Sequence, residues 1–136
     1  MVVDSSVLVA VIMDEPRAAD LFKMLVRAPV VSVGAPSVLE SCMVLGGRLP
    51  AGGQDAARSL ALLLATLEVD VVPFQAAHWP VAWSAFIRYG KGRHPARLNF
   101  GDCMTYATAM LAGEPLLCIG DDFAQTDLDL MPLPDR

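Results

Sequence analysis

The chain has 136 residues, of which 54% are apolar, and its formal net charge is −5. This length predicts a single domain over residues 1–136. No apolar run reaches the roughly 18 residues that span a bilayer, so the sequence predicts no membrane segment. The negative charge argues against a protein that coats nucleic acid. Three scattered cysteines and a start without the basic residues of an export signal indicate a reducing, cytoplasmic environment, and two histidines argue against a zinc site.

Short β-rich runs alternate with longer amphipathic stretches along the chain. Residues 1–3 predict a buried first strand that ends on Asp4. Further strands are predicted at residues 30–33, 69–72 and 116–119, with a last short strand at 128–131. Helices are predicted at residues 7–13, 17–27, 37–48, 54–67, 76–89 and 99–111, and a glycine-rich loop at 90–98.

This alternation predicts an α/β fold with a mostly parallel sheet and helices on both faces. Because crossovers between parallel strands are right-handed, the carboxyl ends of the strands meet at one edge of the sheet. Open α/β sheets bind their ligands at that edge. The sequence therefore predicts that a functional site lies among the residues that follow each strand.

Acidic residues from four distant parts of the chain fall at this edge. Asp4 ends the first strand, and Glu40 lies one turn into the helix after the second. Asp102 lies in the first turn of the helix that starts near Asn99, and Asp121 and Asp122 follow a later strand. Clustered carboxylates repel one another unless a cation lies among them. Oxygen ligands of this kind suit Mg²⁺ or Mn²⁺.

Each acid also has an ordinary structural explanation. Asn99 and Asp102 have the spacing of a capping box, Glu40 alone could be a solvated helix residue, and Asp121 with Asp122 suits a turn. Asp4 is the hardest to explain in this way, because an acid at the end of a buried strand is costly unless it is paired or metal-bound. These separate explanations do not predict that the acids meet.

A basic loop precedes the helix that bears Asp102. Arg88, Lys91, Arg93 and Arg97 are interleaved there with glycines and a tyrosine, a composition typical of loops that contact phosphates. A solvated loop is the alternative. Tryptophans at residues 79 and 83 have helical spacing, which favours a core or partner interface over a base-stacking platform.

Four segments together resemble the PIN-domain ribonucleases, and more closely the VapC-type toxins of bacterial toxin–antitoxin pairs. They are MVVDSS at residues 1–6, SVLE at 37–40, LNFGDC at 98–103 and LLCIGDDFAQTD at 116–127. The resemblance covers essentially the whole chain, and the order and spacing of the segments carry it.

The resemblance implies a three-layer PIN-like sandwich and a Mg²⁺-dependent endoribonuclease, with Mn²⁺ as a substitute. It also implies a homodimer and a VapB-type antitoxin, and the apolar share of 54%, above the usual roughly 45–50%, fits both partners. The implied catalytic acids are Asp4, Glu40, Asp102 and Asp121, with Asp122 in reserve, and Asp4 and Asp102 are the implied metal ligands. Ser6 and Thr126 are implied to support the acids.

A mechanism built from the residues agrees with this implication. A metal held by Asp4 and Asp102 would activate a water for in-line attack on phosphorus. The alternatives are a non-catalytic PIN-like interaction module and a flavodoxin-like nucleotide binder. The second lacks a glycine-rich phosphate loop after the first strand.

Overall fold

The computed structural model describes residues 1–134, and its centre is a four-stranded sheet. The strands are β1 (Val2–Val3), β2 (Ser32–Gly34), β3 (Asp70–Val72) and β4 (Leu116–Leu117). They lie in the order β3-β2-β1-β4, and each neighbouring pair is parallel. The predicted α/β class with a parallel sheet is confirmed, and all its carboxyl ends share one edge.

Helices fill the connections between the strands. Their bounds are α1 (Ser5–Ile12), α2 (Ala18–Arg27), α3 (Ala35–Gly46), α4 (Gly53–Thr66), α5 (His78–Tyr89) and α6 (Phe100–Ala112). Across residues 1–134, none of the helices combines the length and the apolar character that crossing a bilayer requires.

Alternating side chains of the central strands build a core on each face of the sheet. Val3 and Leu117 pack into a cluster with residues of α1, α2 and α4. Val2 and Leu116, their neighbours in sequence, pack instead with residues of α5 and α6. Successive side chains on a strand point to opposite faces, so the two clusters lie on opposite sides of the sheet. The predicted three-layer arrangement is therefore confirmed.

Several predicted elements differ at their ends from the structure by one or two residues, and two of the differences have a clear physical reason. α1 begins at Ser5 rather than at residue 7, because the Asp4 side chain caps it by accepting from the backbone amide of Ser6. The predicted strand at residues 128–131 is reduced to one parallel bridge between Leu116 and Leu130. Pro132 follows at once, and a proline has no amide hydrogen with which to continue a ladder.

Candidate active site at the carboxyl edge

Asp4 occupies the end of a central strand and is only 6% exposed. Its backbone is extended, and its amide donates to the Leu117 carbonyl at 3.0 Å. Its carboxylate accepts from the Ser6 amide at Oδ2 and from the Thr105 hydroxyl at Oδ1, both at 3.1 Å. Two donors therefore hold a buried carboxylate in one orientation, which offsets the cost of burying it.

Glu40 reaches the same edge from α3. Its carboxylate accepts a hydrogen bond from the hydroxyl of Ser5, the residue after Asp4. A Cβ added at Gly101, in the first turn of α6, would overlap the Glu40 carboxylate. The glycine therefore lets Glu40 approach the start of α6 in a way that no other residue would permit.

Asp102 lies in the first turn of α6, where the predicted capping box is present. The Asp102 amide donates to Asn99 Oδ1 at 2.9 Å, and the Asn99 amide donates to Asp102 Oδ2 at 3.0 Å. Burial raises the pKa of Asp102 from 3.8 to about 6, although the Asn99 hydrogen bond opposes the rise. A smaller part of this rise to about 6 comes from the charges of Asp4, Asp122 and Glu40. The structure thus brings these carboxylates close enough to act on one another.

The two adjacent acids after β4 differ in their influence on this cluster. Both are exposed, and they follow Gly120, whose φ is 96°. The charge of Asp122 acts on Asp102, and it also helps burial raise the pKa of the Cys118 thiol to about 12. Asp121 contributes to neither shift. The electrostatics therefore favour Asp122 as the fourth acid, while the choice of Asp121 stays a prediction.

The donor chemistry of the cluster fits a hard divalent cation. Within residues 1–134, no group of three carboxylate, histidine or cysteine side chains is arranged as a ready ligand set. Mg²⁺ does not need one, since it is usually held by one or two carboxylates and keeps several waters. Asp4 and Asp102 supply two carboxylates, and the charges of Asp4, Asp122 and Glu40 add to the effect of burial on the pKa of Asp102, so a cation among them would relieve their repulsion.

The predicted supporting hydroxyls have other partners. Ser6 Oγ accepts from the Ile119 amide at 3.1 Å, which ties the start of α1 to the residues after β4. Thr126 Oγ1 donates to the Phe123 carbonyl at 2.8 Å and so closes its own turn. Ser5 donates to Glu40, and Thr105, which the sequence did not single out, donates to Asp4. The spacing of Thr105, one turn after Asp102, was the signal that could have identified it.

The basic loop leads directly into α6, and its cations, together with Arg88 in the last turn of α5, differ in how far neighbouring side chains already engage them. Arg88 forms an ion pair with Asp127 at 3.2 Å and also donates to the Tyr89 hydroxyl. The guanidinium of Arg93 lies 5.3 Å from the centre of the Phe86 ring. Lys91 and Arg97 are exposed. A substrate would thus meet Lys91, Arg93 and Arg97 more readily than Arg88.

An exposed apolar face adjoins the acids. We call it the apolar face; it comprises side chains of α3, α5 and α6 that are more than half exposed, namely Leu39, Met43, Trp79, Trp83 and Phe100. A groove of about 930 Å³ runs along α3 and α6 with Glu40 in its wall, and a cavity of about 390 Å³ lies between α5 and α6. Contiguous apolar surface of this kind indicates an interaction site.

Known proteins resemble this chain in both sequence and fold. Residues 1–128 match the PIN domain family. Ribonuclease VapC36 of Mycobacterium tuberculosis is 45% identical over 130 residues, which covers 95% of this chain and 91% of the relative. Ribonuclease VapC30 of the same species is 41% identical over 135 residues, which covers 98% of this chain and 100% of the relative.

Two solved structures resemble the fold over nearly its whole length. Mycobacterium tuberculosis VapC20, described as a Sarcin-Ricin loop cleaving toxin, has a TM-score of 0.77 at 20% identity, with 98% of both chains covered. VapBC2 from Rickettsia felis, bound to a DNA fragment from its promoter, has a TM-score of 0.76 at 11% identity, again with 98% of both chains covered. At these identities the likeness concerns the fold. Together with the family match and the closer relatives, it shows that the chain belongs to the PIN-domain family and, within it, to the VapC proteins.

Proposed function

We propose that the protein is a Mg²⁺-dependent endoribonuclease and the toxin of a VapBC-type toxin–antitoxin pair, acting in the cytoplasm. The observation that carries the proposal is the cluster of Asp4, Glu40 and Asp102 at one edge of the sheet, where burial and, to a smaller extent, the neighbouring carboxylates raise the pKa of Asp102 to about 6. Relatives at 41% and 45% identity are named as ribonucleases. A cluster with this donor set is suited to hydrolysing a phosphodiester bond with a metal and water.

The acidic residues of the cluster have different roles in the proposed reaction. Asp4 and Asp102 would hold Mg²⁺, and the ion would supply a more acidic water and positive charge for the phosphate oxygens. Glu40 is oriented by the Ser5 hydroxyl, so its carboxylate stands ready to accept a proton from the attacking water. Asp122 adds a further carboxylate at the rim, with Asp121 as the neighbouring candidate.

The basic loop holds the RNA. Lys91, Arg93 and Arg97 place positive charge beside the start of α6, where phosphates must approach a carboxylate pocket. The Arg93 guanidinium already lies over the Phe86 ring. A cation–π contact of this kind holds the guanidinium in place and leaves its N–H groups available to a phosphate. Arg88 is engaged by Asp127 and has a weaker part in this contact.

Two protein partners complete the proposal. The apolar face forms a homodimer, because its exposed tryptophans and Phe100, which is 80% exposed, need a partner of similar apolar character. A VapB-type antitoxin covers the acidic edge and inhibits cleavage. Support for the antitoxin comes from the similar fold of a Klebsiella pneumoniae protein solved in a toxin–antitoxin complex, with a TM-score of 0.70, 16% identity, and 93% of this chain and 92% of that chain covered.

Metal titration with RNA tests the enzymatic proposal. We expect chelation to stop cleavage and Mg²⁺ or Mn²⁺ to restore it, whereas Ca²⁺, with its longer and looser coordination, supports less turnover. Asp102→Asn should abolish metal-dependent cleavage while circular dichroism shows an intact fold. Full activity in excess chelator, or wild-type cleavage by Asp102→Asn, would contradict the proposal. Co-expression of the antitoxin with the protein should suppress the same activity.

A further inference from the structure

Two buried hydroxyls lie one turn away from the acids on the same helices. Ser37 precedes Glu40 by three residues on α3, and Thr105 follows Asp102 by three residues on α6. Residues three apart share a helix face, so each hydroxyl lies beside its acid. Ser37 is 4% exposed and Thr105 is 2% exposed. The pair therefore forms a polar layer beneath the exposed edge of the site.

The direction of the hydrogen bonds follows from the number of protons. Thr105 Oγ1 donates to Asp4 Oδ1 at 3.1 Å, and Ser37 Oγ lies 2.9 Å from Thr105 Oγ1. A hydroxyl carries one proton and an ionised carboxylate carries none. Since Thr105 gives its proton to Asp4, Ser37 must donate to Thr105. The result is a directed chain from Ser37 through Thr105 to the Asp4 carboxylate.

We propose that this hydroxyl chain is the positioning device of the site. It joins α3, α6 and the β1–α1 junction, the elements that carry Glu40, Asp102 and Asp4. It also fixes Asp4 Oδ1 while the Ser6 amide fixes Oδ2, so the remaining lone pairs of both oxygens have defined directions. Thr105 and Ser37 act through Asp4 rather than on a substrate. The consequence for cleavage rests on the proposed function, whereas the coupling between the two hydroxyls does not.

Close packing of α6 against β2 makes the chain possible. A Cβ added at Gly34, the last residue of β2, would lie 2.8 Å from Thr108 Oγ1 on α6. This approach brings Thr105, one turn earlier on α6, to Ser37 at the start of α3. Thr108 is equally buried, but its hydroxyl donates to the Met104 carbonyl of its own helix at 3.0 Å. Thr108 is therefore a matched threonine outside the chain.

Metal binding tests the effect on Asp4. We expect Thr105→Val to weaken Mn²⁺ binding, measured by electron paramagnetic resonance or calorimetry, by about 10–100-fold, as removal of a partner that orients a metal ligand typically does. The fall in kcat should exceed the change in KM for RNA. Thr105→Ser should restore the hydroxyl and the binding, and Thr108→Val should match the wild type. Equal Mn²⁺ affinity in Thr105→Val and Thr108→Val would overturn the proposal.

A metal-free double-mutant cycle tests the chain without reference to activity. We expect the decreases in urea midpoint caused by Ser37→Ala and Thr105→Val to be non-additive, because the first substitution already breaks the bond that the second removes. Ser37→Ala and Thr108→Val should add. Additivity in the first pair would overturn the hydroxyl chain. If the cycle shows coupling between Ser37 and Thr105 but the wild-type protein cleaves no RNA, the proposed function is contradicted and the hydroxyl chain is still supported.

Discussion

Asp102 receives opposing influences on its ionisation. The amide of Asn99 donates to its carboxylate and favours the charged form, whereas burial and the charges of Asp4, Asp122 and Glu40 favour the neutral form. The second group prevails, and the pKa rises to about 6. A helix cap alone would have no reason to lie among other acids. The residue is therefore explained by its capping role and by the proposed metal site together.

The raised pKa predicts how stability changes with pH in the metal-free protein. Between pH 3.8 and about 6 the folded state holds more of the Asp102 proton than the unfolded state does. The free energy of unfolding from this group therefore falls as pH rises through that window and stays level above it. Asp102→Asn should remove this part of the dependence, as urea unfolding between about pH 4 and 7 would measure.

An exposed acid provides the control for that measurement. Asp20 on α2 lies away from the cluster and contacts Lys23 at the surface. Asp20→Asn should therefore leave the wild-type profile in place. If the pH profile of Asp102→Asn matched that of the wild type, Asp102 would not be the source of this pH dependence.

At the scale of elements, α6 organises the site. Its first turn carries Asp102 and Gly101, its second turn carries Thr105, and the basic loop leads into it through the bridge between Gly90 and Leu98. The proposed metal ligand, the proposed positioning hydroxyl and the proposed RNA-binding segment thus lie on one helix and the residues before it. Changes at the start of α6 should affect activity more than stability.

Gly101→Ala isolates the approach of Glu40 to α6. Alanine is the better helix former by about 0.5–1 kcal/mol, so the fold should hold, but its Cβ would displace the Glu40 carboxylate. We expect at least about tenfold lower kcat with little change in thermal midpoint, from the usual size of general acid–base effects. Gly53→Ala, at a helix position with open space around it, should leave both unchanged. Equal activities of the two variants would remove Glu40 placement from the mechanism.

The basic loop should position RNA without taking part in the chemistry. Lys91→Ala/Arg93→Ala should weaken RNA binding and reduce its salt slope by about 1.4, because each phosphate neutralised on a single strand contributes about 0.7 to that slope. The rate at saturating RNA should fall much less, because the two side chains bind the ground state and the transition state equally. Filter binding at several salt concentrations measures the slope.

Cations on other helices serve as the comparison for the loop. Lys23→Ala/Arg58→Ala removes the same charge from exposed positions of α2 and α4 and should leave the slope unchanged. An unaltered slope in the loop variant would indicate a solvated connection. Antitoxin affinity measured with both variants would show whether the loop also contacts the inhibitor.

At the scale of the whole molecule, the apolar face and the acidic edge are adjacent, since Glu40 forms part of the groove along α3 and α6. Assembly and catalysis would therefore be close neighbours in space. We expect the wild type to form dimers at micromolar concentration and Leu39→Asp to shift it to monomers, because an unpaired charge in an apolar interface is costly. Analytical ultracentrifugation measures the shift.

A second exposed leucine provides the matched variant for assembly. Leu62 on α4 is 69% exposed, close to the 62% of Leu39, but it lies outside the apolar face. Leu62→Asp should remain dimeric. A monomeric wild type whose apolar face is covered only when antitoxin is added would contradict the homodimer and assign the face to the antitoxin.

The sequence by itself determined the features that depend on local pattern. β-branched runs and amphipathic periods predicted the strands and helices of the described fold, and the polarity of parallel strands brought Asp4, Glu40 and Asp102 to one edge. The Asn99 and Asp102 capping box was also readable, because its partners are three residues apart. Spacing within one turn or one strand is sufficient for all of these.

Tertiary structure alone decided the contacts that join distant segments. Thr105 bonds to Asp4 across 101 residues and to Ser37 across 68, and Arg88 pairs with Asp127 across 39. The influence of the Asp122 charge on the pKa of Asp102 likewise joins two segments that are distant in sequence. Periodicity places a side chain on a face of its own element. Which partner it meets there depends on how closely the elements pack, and the close approaches at Gly34 and Gly101 set that distance.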